Sequence, residues 1–249
     1  MPDDHLLLFV IVGFLAQIVD GALGMAYGVS ANSFLLSLGL PPAVASASVH
    51  TAEACTTAVS GLSHLKLGNV DKRLLKQLVL PGVLGAVTGA YILTAVPGDL
   101  IKPFVAVYLL GMGVLILVKA LHKPAAAPPP TRLVPLGLVG GFMDAVGGGG
   151  WGPIVTSTLV ARGHEPRFVI GSVNAAEFFL TVAQALTFAA LLGLAHWPMV
   201  LGLMLGGVVA APLAAYVCRR LPSRALMIVV GILVIVLSAR TLYLSLVAR

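Results

Sequence analysis

The residues GFLAQIVDGALGMAYG at Gly13–Gly28 return in altered form as GLVGGFMDAVGGGGWG at Gly137–Gly152. Asp20 aligns with Asp144, which sets an offset of 144 − 20 = 124 residues. Other residues are identical at this offset without a gap: Gly24 and Gly148, Gly28 and Gly152, Ser48 and Ser172, Glu53 and Glu177, and Thr57 and Thr181. The chain therefore consists of two homologous repeats.

The composition places both repeats in a membrane. Of the 249 residues, 59% are hydrophobic and only 10% are charged, and the mean hydropathy is +1.03. A soluble domain of this size could not solvate its surface with so few charges, and disorder and nucleic-acid binding are excluded on the same grounds. The net charge of +6 then reports loop orientation in a lipid bilayer rather than a polyanionic partner.

We predict an all-α polytopic protein whose first repeat is residues 1–121 and whose second is residues 133–249, joined by a Pro/Ala-rich linker at 122–132. In each repeat a broken, re-entrant helical hairpin precedes three transmembrane helices. The predicted spans are Ala43–Ser63, Gln77–Gly98, Pro103–Val118, Val169–Leu192, the part of the charge-free run Phe178–Cys218 after a turn at Gly193–Pro198, and Ala225–Ala239 with the residues beyond it.

The charges favour inverted repeats over parallel ones. Four full crossings per repeat would place basic residues on both sides of the membrane, against the positive-inside rule. If each hairpin enters and returns, three crossings remain per repeat, and twelve of the 15 basic residues lie inside: Lys66, Lys72, Arg73, Lys76, Lys119, Lys123, Arg132, Arg162, Arg167, Arg219, Arg220 and Arg224. We therefore expect the two repeats to have opposite orientations in the membrane.

Two twinned pairs of carboxylates lie inside apolar segments, namely Asp20 with Asp144 and Glu53 with Glu177. A charge at the bilayer centre costs about 2.5–3.5 kcal/mol on insertion scales, so such groups face a cavity, form pairs or bind protons. Glu53 also belongs to a polar stripe at helical spacing, and the second repeat carries its counterpart. The stripe residues are Ser46, His50, Glu53, Thr57 and Ser60, and then Asn174, Glu177, Thr181 and Gln184.

The glycine-rich segments after Asp20 and Asp144 predict helix breaks at membrane depth, which must be buried in protein or line water. We place the substrate-binding site at these tips and beside the stripes, and treat Glu53 and Glu177 as proton-coupling groups. The binding candidates are Asp20, Gly24, Tyr27, Gly28, His50, Asp144, Gly148, Gly149, Trp151 and Asn174.

Each of these assignments has a structural alternative. The aspartates could cap the half-helices that follow them, the glycines could serve only close packing, and the polar side chains could join neighbouring helices. Tyr27 and Trp151 are candidate lid or stacking groups, or packing residues. His64 has the position of a span boundary. The sequence contains no metal-ligand spacing, nucleophile elbow or Walker loop, so we predict no metal, no cofactor and no enzyme.

The chain resembles the sulfite exporter TauE/SafE family through GFLAQIVDGALGMAYG at Gly13–Gly28, SASVHTAEACTTAVSG at Ser46–Gly61, GFMDAVGGGGWGPI at Gly141–Ile154 and GSVNAAEFF at Gly171–Phe179. The resemblance implies a transporter of sulfite, sulfoacetate, thiosulfate or a related anion in the bacterial inner membrane. The first tip reads LGMAYG where the second reads GGGGWG, so the two repeats are expected to contribute unequally to the site.

The physics of the segments suits an anion if carboxyl groups are neutral when it binds. Half-helix N-termini offer N–H groups and a positive dipole end, and burial favours protonated Glu53 and Glu177, which would couple the anion to protons. A cation or divalent-metal permease, with ionised carboxylates as ligands, is the alternative, and a membrane scaffold or an enzyme is a third. Transport direction and oligomeric state, a homodimer included, stay open.

Overall fold

A computed structural model describes residues 6–121, 132–162, 164–193, 197–217 and 223–247, and the regular elements in these ranges are all helical. The predicted linker lies outside the described residues except for Arg132. So do the acidic N-terminal segment MPDDH, Cys218 and the middle of the predicted Gly193–Pro198 turn.

The two repeats contain corresponding elements. The first comprises α1 (Leu6–Leu23), α2 (Tyr27–Ser37), α3 (Pro42–Lys66), α4 (Lys72–Ala95) and α5 (Gly98–Leu121). The second comprises α6 (Leu133–Gly147), a π-helical turn (Gly152–Thr156) continued by α7 (Ser157–Ala161), α8 (Pro166–Leu192), α9 (Trp197–Val217) and α10 (Ser223–Val247). Both predicted hairpins are therefore present as two helical arms around a break.

Local sequence explains where several helices begin. Pro42 and Pro166 stand in the first turns of the twin helices α3 and α8, where a missing N–H costs nothing because that group has no intrahelical partner. The side chain of Asp71 caps α4 by accepting hydrogen bonds from the backbone N–H groups of Arg73 at 2.8 Å and Leu74 at 3.2 Å.

Among the described residues, 6 helices are long and apolar enough to cross a membrane, namely α1, α4, α5, α8, α9 and α10, and the chain is a multi-pass membrane protein. Two details differ from our expectation. We expected arms of half-membrane length in the first hairpin. Instead, α1 is a continuous helix of 18 residues that is long and apolar enough to cross a membrane. Helix α3, which we predicted as a span, has the length but not the hydropathy, because the polar stripe lowers its average.

Each hairpin packs its first arm against a helix of the other repeat. In α1, a side chain at Gly13 would collide with the backbone of Leu203, and one at Gly21 would lie 2.6 Å from Ala214 Cβ, so α1 and α9 run parallel in close contact. In the same way α6 lies along α4, with Gly89 facing Phe142 and Ala145. The repeats are therefore intertwined rather than stacked side by side.

The twin helices α3 and α8 form the centre of the molecule and run antiparallel. His50 stacks on Phe188 with ring centroids 6.2 Å apart, and Ser60 Oγ donates to Asn174 Oδ1 at 2.8 Å. Residue numbers therefore rise along α3 while they fall along the facing α8. All members of the two predicted polar stripes are buried between these helices and their neighbours.

Candidate functional site

The two helix breaks meet tip to tip. A Cβ built on Gly28 would lie 2.7 Å from Gly149 Cα, and a Cβ on Gly152, its twin, would collide with the backbone at Gly24 and Met25. Met25 is in turn the position that corresponds to Gly149. The contact between Gly28 and Gly149 is therefore repeated by the corresponding residues Gly152 and Met25. At both contacts the glycine of the pair, Gly28 or Gly152, has no room for a side chain.

Hydrogen bonds across the tips reinforce this contact. Asn32 Nδ2 donates to the Gly147 carbonyl at 2.6 Å, and Thr156 Oγ1 donates to the Gly24 carbonyl at 2.7 Å. Gly148 (φ 65°) and Gly149 (φ 151°) take backbone conformations that residues with a Cβ rarely adopt, which explains the glycine run in the second tip. The broken backbone is buried in protein, as we predicted for breaks at membrane depth.

Asp144 is held by hydrogen bonds on both of its oxygens. Oδ1 accepts from the backbone N–H groups of Gly150 at 2.8 Å and Trp151 at 3.0 Å, which is the capping arrangement. Oδ2 lies 3.1 Å from His50 Nε2 and accepts from Gln184 Nε2 at 2.9 Å. Asp144 therefore anchors the second tip to both central helices.

Asp20, the twin of Asp144, has far fewer partners. Its Oδ1 accepts one long hydrogen bond from the Tyr27 N–H at 3.5 Å, and its Oδ2 has no partner although the residue is only 2% exposed. Helix α2 likewise begins without a side-chain cap. The two tips, alike in sequence, thus differ in how their aspartates are bound.

The paired glutamates lie one turn from a contact between twin threonines. Thr57 Oγ1 and Thr181 Oγ1 are 3.1 Å apart, and Thr57 Oγ1 donates to the Glu53 carbonyl. The Oε2 atoms of both Glu53 and Glu177 are buried without a hydrogen-bond partner, and Glu53 Oε2 is 3.9 Å from His50 Nε2. The glutamates therefore flank the point where the two repeats face each other.

The four buried carboxyls are close enough to act on one another electrostatically. Glu177 interacts with Asp20, Glu53 and Asp144, and Glu53 interacts with both aspartates. Several uncharged polar atoms in this region also lack partners: Nε2 and Oε1 of Gln17, Oγ of Ser30, Oδ1 of Asn32 and Oε1 of Gln184. Buried polar groups are normally paired, so this concentration of unpartnered atoms makes the region the candidate site.

Some of the predicted site residues lie together, and others bond elsewhere. The structure brings His50, Glu53, Asp144 and the tip glycines together, whereas Asn174 bonds to Ser60 and to the Ile170 carbonyl. Among the residues described, no group of three His, Cys, Asp or Glu side chains is arranged to hold a metal ion.

The two aromatic residues that follow the breaks are fully buried. Tyr27 donates from its hydroxyl to the Leu203 carbonyl at 3.1 Å, and Trp151 donates from Nε1 to the Val173 carbonyl at 3.2 Å. Both belong to apolar clusters. These contacts fit the packing alternative, and a lid role for the pair stays a prediction.

His64, which we placed at a span boundary, is completely buried and belongs to a polar network. Its Nε2 lies 3.1 Å from the Gly21 carbonyl and its Nδ1 lies 3.1 Å from Asn69 Nδ2. Arg167 donates from Nε to Asn69 Oδ1 at 2.6 Å and from Nη2 to the carbonyls of Leu67 and Gly68. This network, made by Gly21, His64, Asn69 and Arg167, closes one end of the central helix pair.

The opposite end of the helix pair is more open. A cavity of about 130 Å³ lies between α3, α8 and α9, with Val44, Ala47, Thr51, Phe188 and Trp197 among its lining residues. Phe188 aligns with His64 at the repeat offset, since 188 − 64 = 124. At this end an apolar ring replaces the polar network: Phe188 lines the cavity and stacks on His50, which contacts Asp144.

Comparisons with known proteins agree with the membrane architecture. The sequence profile of a family described as sulfite exporter TauE/SafE matches residues 9–241. A relative from Bacillus subtilis (strain 168), described as "Probable membrane transporter protein YtnM", is 46% identical over 247 residues, which cover 95% of this chain and 82% of the relative. No solved structure matches the chain.

Proposed function

The chain belongs to the sulfite exporter TauE/SafE family of membrane transporters, and from this premise we propose that it moves sulfite or a small organosulfonate-type anion by alternating access. Sulfoacetate and thiosulfate are further candidates of the same chemistry. The observation that carries the proposal is the set of buried, unpartnered polar atoms where the two hairpin tips and the twin helices meet. We place the protein in the bacterial inner membrane.

The tips supply what a sulfur oxyanion needs without a basic side chain. Helix α2 begins at Tyr27, its N-cap residue Ala26 makes no side-chain hydrogen bond, and the Tyr27 N–H makes only a long hydrogen bond of 3.5 Å to Asp20, so the positive end of the α2 dipole can attract an anion there. The amide of Gln17 adds a neutral donor nearby in α1, where it is fully buried. A sulfonate or sulfite group, with several oxygens on one centre, can accept hydrogen bonds from both.

The glutamates make proton coupling part of the proposal. Ionised Glu53 and Glu177 would repel an anion, whereas neutral carboxyls can donate hydrogen bonds to it. Replacing both with glutamine in E53Q/E177Q is expected to preserve anion binding and to abolish its pH dependence. A double variant whose binding still depends on pH as strongly as in the unaltered protein contradicts the coupling role.

We also propose that the repeats are inverted in the membrane. The antiparallel contact of α3 with α8, centred on the twin residues Thr57 and Thr181, supports a two-fold axis between the repeats that lies in the membrane plane. Single cysteines at Gly68 and Gly193 are then expected to react with impermeant reagents from opposite sides of right-side-out vesicles. Labelling of both from the same side contradicts inversion.

Flux in reconstituted vesicles tests the function itself. We expect saturable uptake of labelled sulfite, sulfoacetate or thiosulfate that increases when the pH outside is lowered relative to the inside. G111A serves as a control variant that should transport like the unaltered protein, because Gly111 lies in α5 with nothing within 4 Å of its Cβ position. Saturable flux of Ni²⁺ or Co²⁺ with no flux of any sulfur anion would favour the cation permease instead.

A further inference from the structure

The two hairpin aspartates occupy equivalent sequence positions in unequal surroundings. We propose that Asp20, together with Glu177, binds and releases the proton that accompanies the anion, while Asp144 is a fixed anchor that takes no part in proton movement. This inference rests on the proposed anion transport and assigns the coupling site to the first hairpin. It also gives different roles to the two hairpin aspartates, which their pairing in the sequence does not do.

Asp144 is surrounded by polar groups of the protein that contact both of its oxygens. His50 Nδ1 lies 2.7 Å from the Ser46 carbonyl, which can only accept a hydrogen bond, and His50 Nε2 lies 3.1 Å from Asp144 Oδ2. Both ring nitrogens thus lie within hydrogen-bond distance of an oxygen. Together with Gln184 and two backbone N–H groups, His50 brings the number of polar groups that contact the Asp144 carboxylate to four.

The equivalent side chains at Asp20 cannot do the same. At the repeat offset, Asn174 corresponds to His50, because 174 − 50 = 124. Ser60 corresponds to Gln184, because 184 − 60 = 124. Asn174 and Ser60 are therefore the residues expected beside Asp20. Both are shorter, and they bond to each other instead: Ser60 Oγ donates to Asn174 Oδ1, while Asn174 Nδ2 donates to the Ile170 carbonyl. Asp20 Oδ2 is left without a partner.

Two further unpartnered groups accompany Asp20. Gln17 precedes it by three residues on the same face of α1 and is fully buried, and neither atom of its amide is hydrogen-bonded. Glu177 Oε2 is also buried without a partner, and Asp20 is among the carboxyls close enough to act on Glu177 electrostatically. The surroundings of Asp20 therefore combine two carboxyls with one amide and contain no imidazole in the position that His50 has beside Asp144.

The titratable groups described around Asp20 include no lysine or arginine. Helix α9, which packs along α1, has no acidic or basic side chain among its described residues. The groups that face Asp20 from the other elements are Tyr27 of α2, Glu53 and His64 of α3, Asp144 of α6 and Glu177 of α8. Of these, His64 directs Nε2 to the Gly21 carbonyl rather than to a carboxylate.

Two buried carboxyls without a cationic partner cannot both be ionised at low cost, so one proton shared between them is the simplest stable arrangement. A second proton, taken up together with the anion, makes both carboxyls neutral, so that Asp20 no longer repels an anion at the start of α2. The anion and the proton then bind together and leave together, and the proton returns to solvent as a carboxylate forms again. For a monovalent anion the cycle moves no net charge.

Infrared spectroscopy of the substrate-free protein tests the proton site without relying on transport. We expect a carbonyl stretch from a neutral buried carboxyl that loses intensity in D20N/E177Q and keeps it in D99N, which alters an exposed aspartate. We expect D144N also to retain the intensity. A spectrum unchanged by D20N/E177Q, or one that loses the signal through D144N alone, overturns the assignment.

A second variant gives Asp20 the same side-chain partners that Asp144 has. In S60Q/N174H the side chains that hold Asp144 are placed at the equivalent positions beside Asp20, so the Asp20 carboxylate should be held without a mobile proton. With one proton bound per anion, anion affinity in the unaltered protein should rise about tenfold for each unit by which pH is lowered. This dependence should vanish in S60Q/N174H, and its full persistence there overturns the proposal.

The two assays separate this inference from the function on which it rests. If the infrared signal follows Asp20 and Glu177 but no sulfur anion binds or is transported, the anion function is wrong and the proton site stands. If a sulfur anion is transported with a pH dependence that D20N/E177Q and S60Q/N174H leave intact, the function stands and the proton site is wrong.

Discussion

The contact between the hairpin tips can be tested with a single methyl group. A Cβ added at Gly28 would lie 2.7 Å from Gly149 Cα and 3.0 Å from the Gly148 carbonyl oxygen. Ordinary contact between carbon atoms requires about 3.5–4.0 Å, so the tips must separate by about 1 Å. The neighbouring atoms are backbone and cannot rotate away. We therefore expect G28A to destabilise the protein by about 1–3 kcal/mol, the usual cost of overpacking.

G111A is the matched control, because it also exchanges a helical glycine for alanine but adds its methyl group where nothing lies within 4 Å. The gain in helix propensity is common to both variants, so their difference reports the tip contact. The assay is the free energy of unfolding in mixed micelles titrated with dodecyl sulfate and followed by circular dichroism. Equal unfolding free energies for G28A and G111A would refute the tip-to-tip arrangement.

Three other predictions follow from the hydrogen bonds of the site and use the same titration. D144N, which disrupts a buried carboxylate with four donors, is expected to cost about 3–5 kcal/mol, and D20N clearly less because Asp20 has one hydrogen bond of 3.5 Å. Equal losses would contradict the inequality of the tips. T57V and T181V should be non-additive by about 0.6 kcal/mol, because the hydroxyls are 3.1 Å apart, and strict additivity would show that they do not interact. R167M removes the donors to Asn69 and to two carbonyls and should cost about 1–3 kcal/mol, whereas a loss no larger than that of the exposed-site variant R73M would argue against the closing network.

Much of the architecture follows from the duplication in the sequence. The matched motifs around Asp20 and Asp144 predict two broken hairpins, and the structure has a break after each. The stripes of polar residues at helical spacing predict buried faces on α3 and α8, and their members are indeed buried. These features are local, because periodicity and glycine content act within one helix or one turn.

The features that the sequence did not indicate depend on contacts between distant segments. Gln17 has Gly141 as its counterpart, so a search for twinned polar residues passes over it. His64 stands near the end of α3, and only the packing of α1 and α8 around it shows that it is buried. The single signal for either residue was a polar side chain inside or beside an apolar segment, which does not identify its partners.

The unequal surroundings of the aspartates could have been foreseen in part. The offset alignment already sets His50 against Asn174 and Ser60 against Gln184, and side-chain length alone distinguishes the members of each pair. What the alignment does not contain is that His50 and Gln184, from different repeats, reach the same carboxylate. That convergence depends on the antiparallel crossing of α3 and α8.

Thermal stabilisation of the purified protein tests the central claim most directly, because a ligand that binds the folded state raises its melting temperature. Sulfite, sulfoacetate, thiosulfate, taurine, acetate, Ni²⁺ and Co²⁺ are compared at two pH values. The proposed anion site predicts a shift with a sulfur oxyanion that grows at the lower pH. A shift with a divalent metal that grows at the higher pH, and none with any sulfur anion, would contradict it and make the buried carboxyls cation ligands.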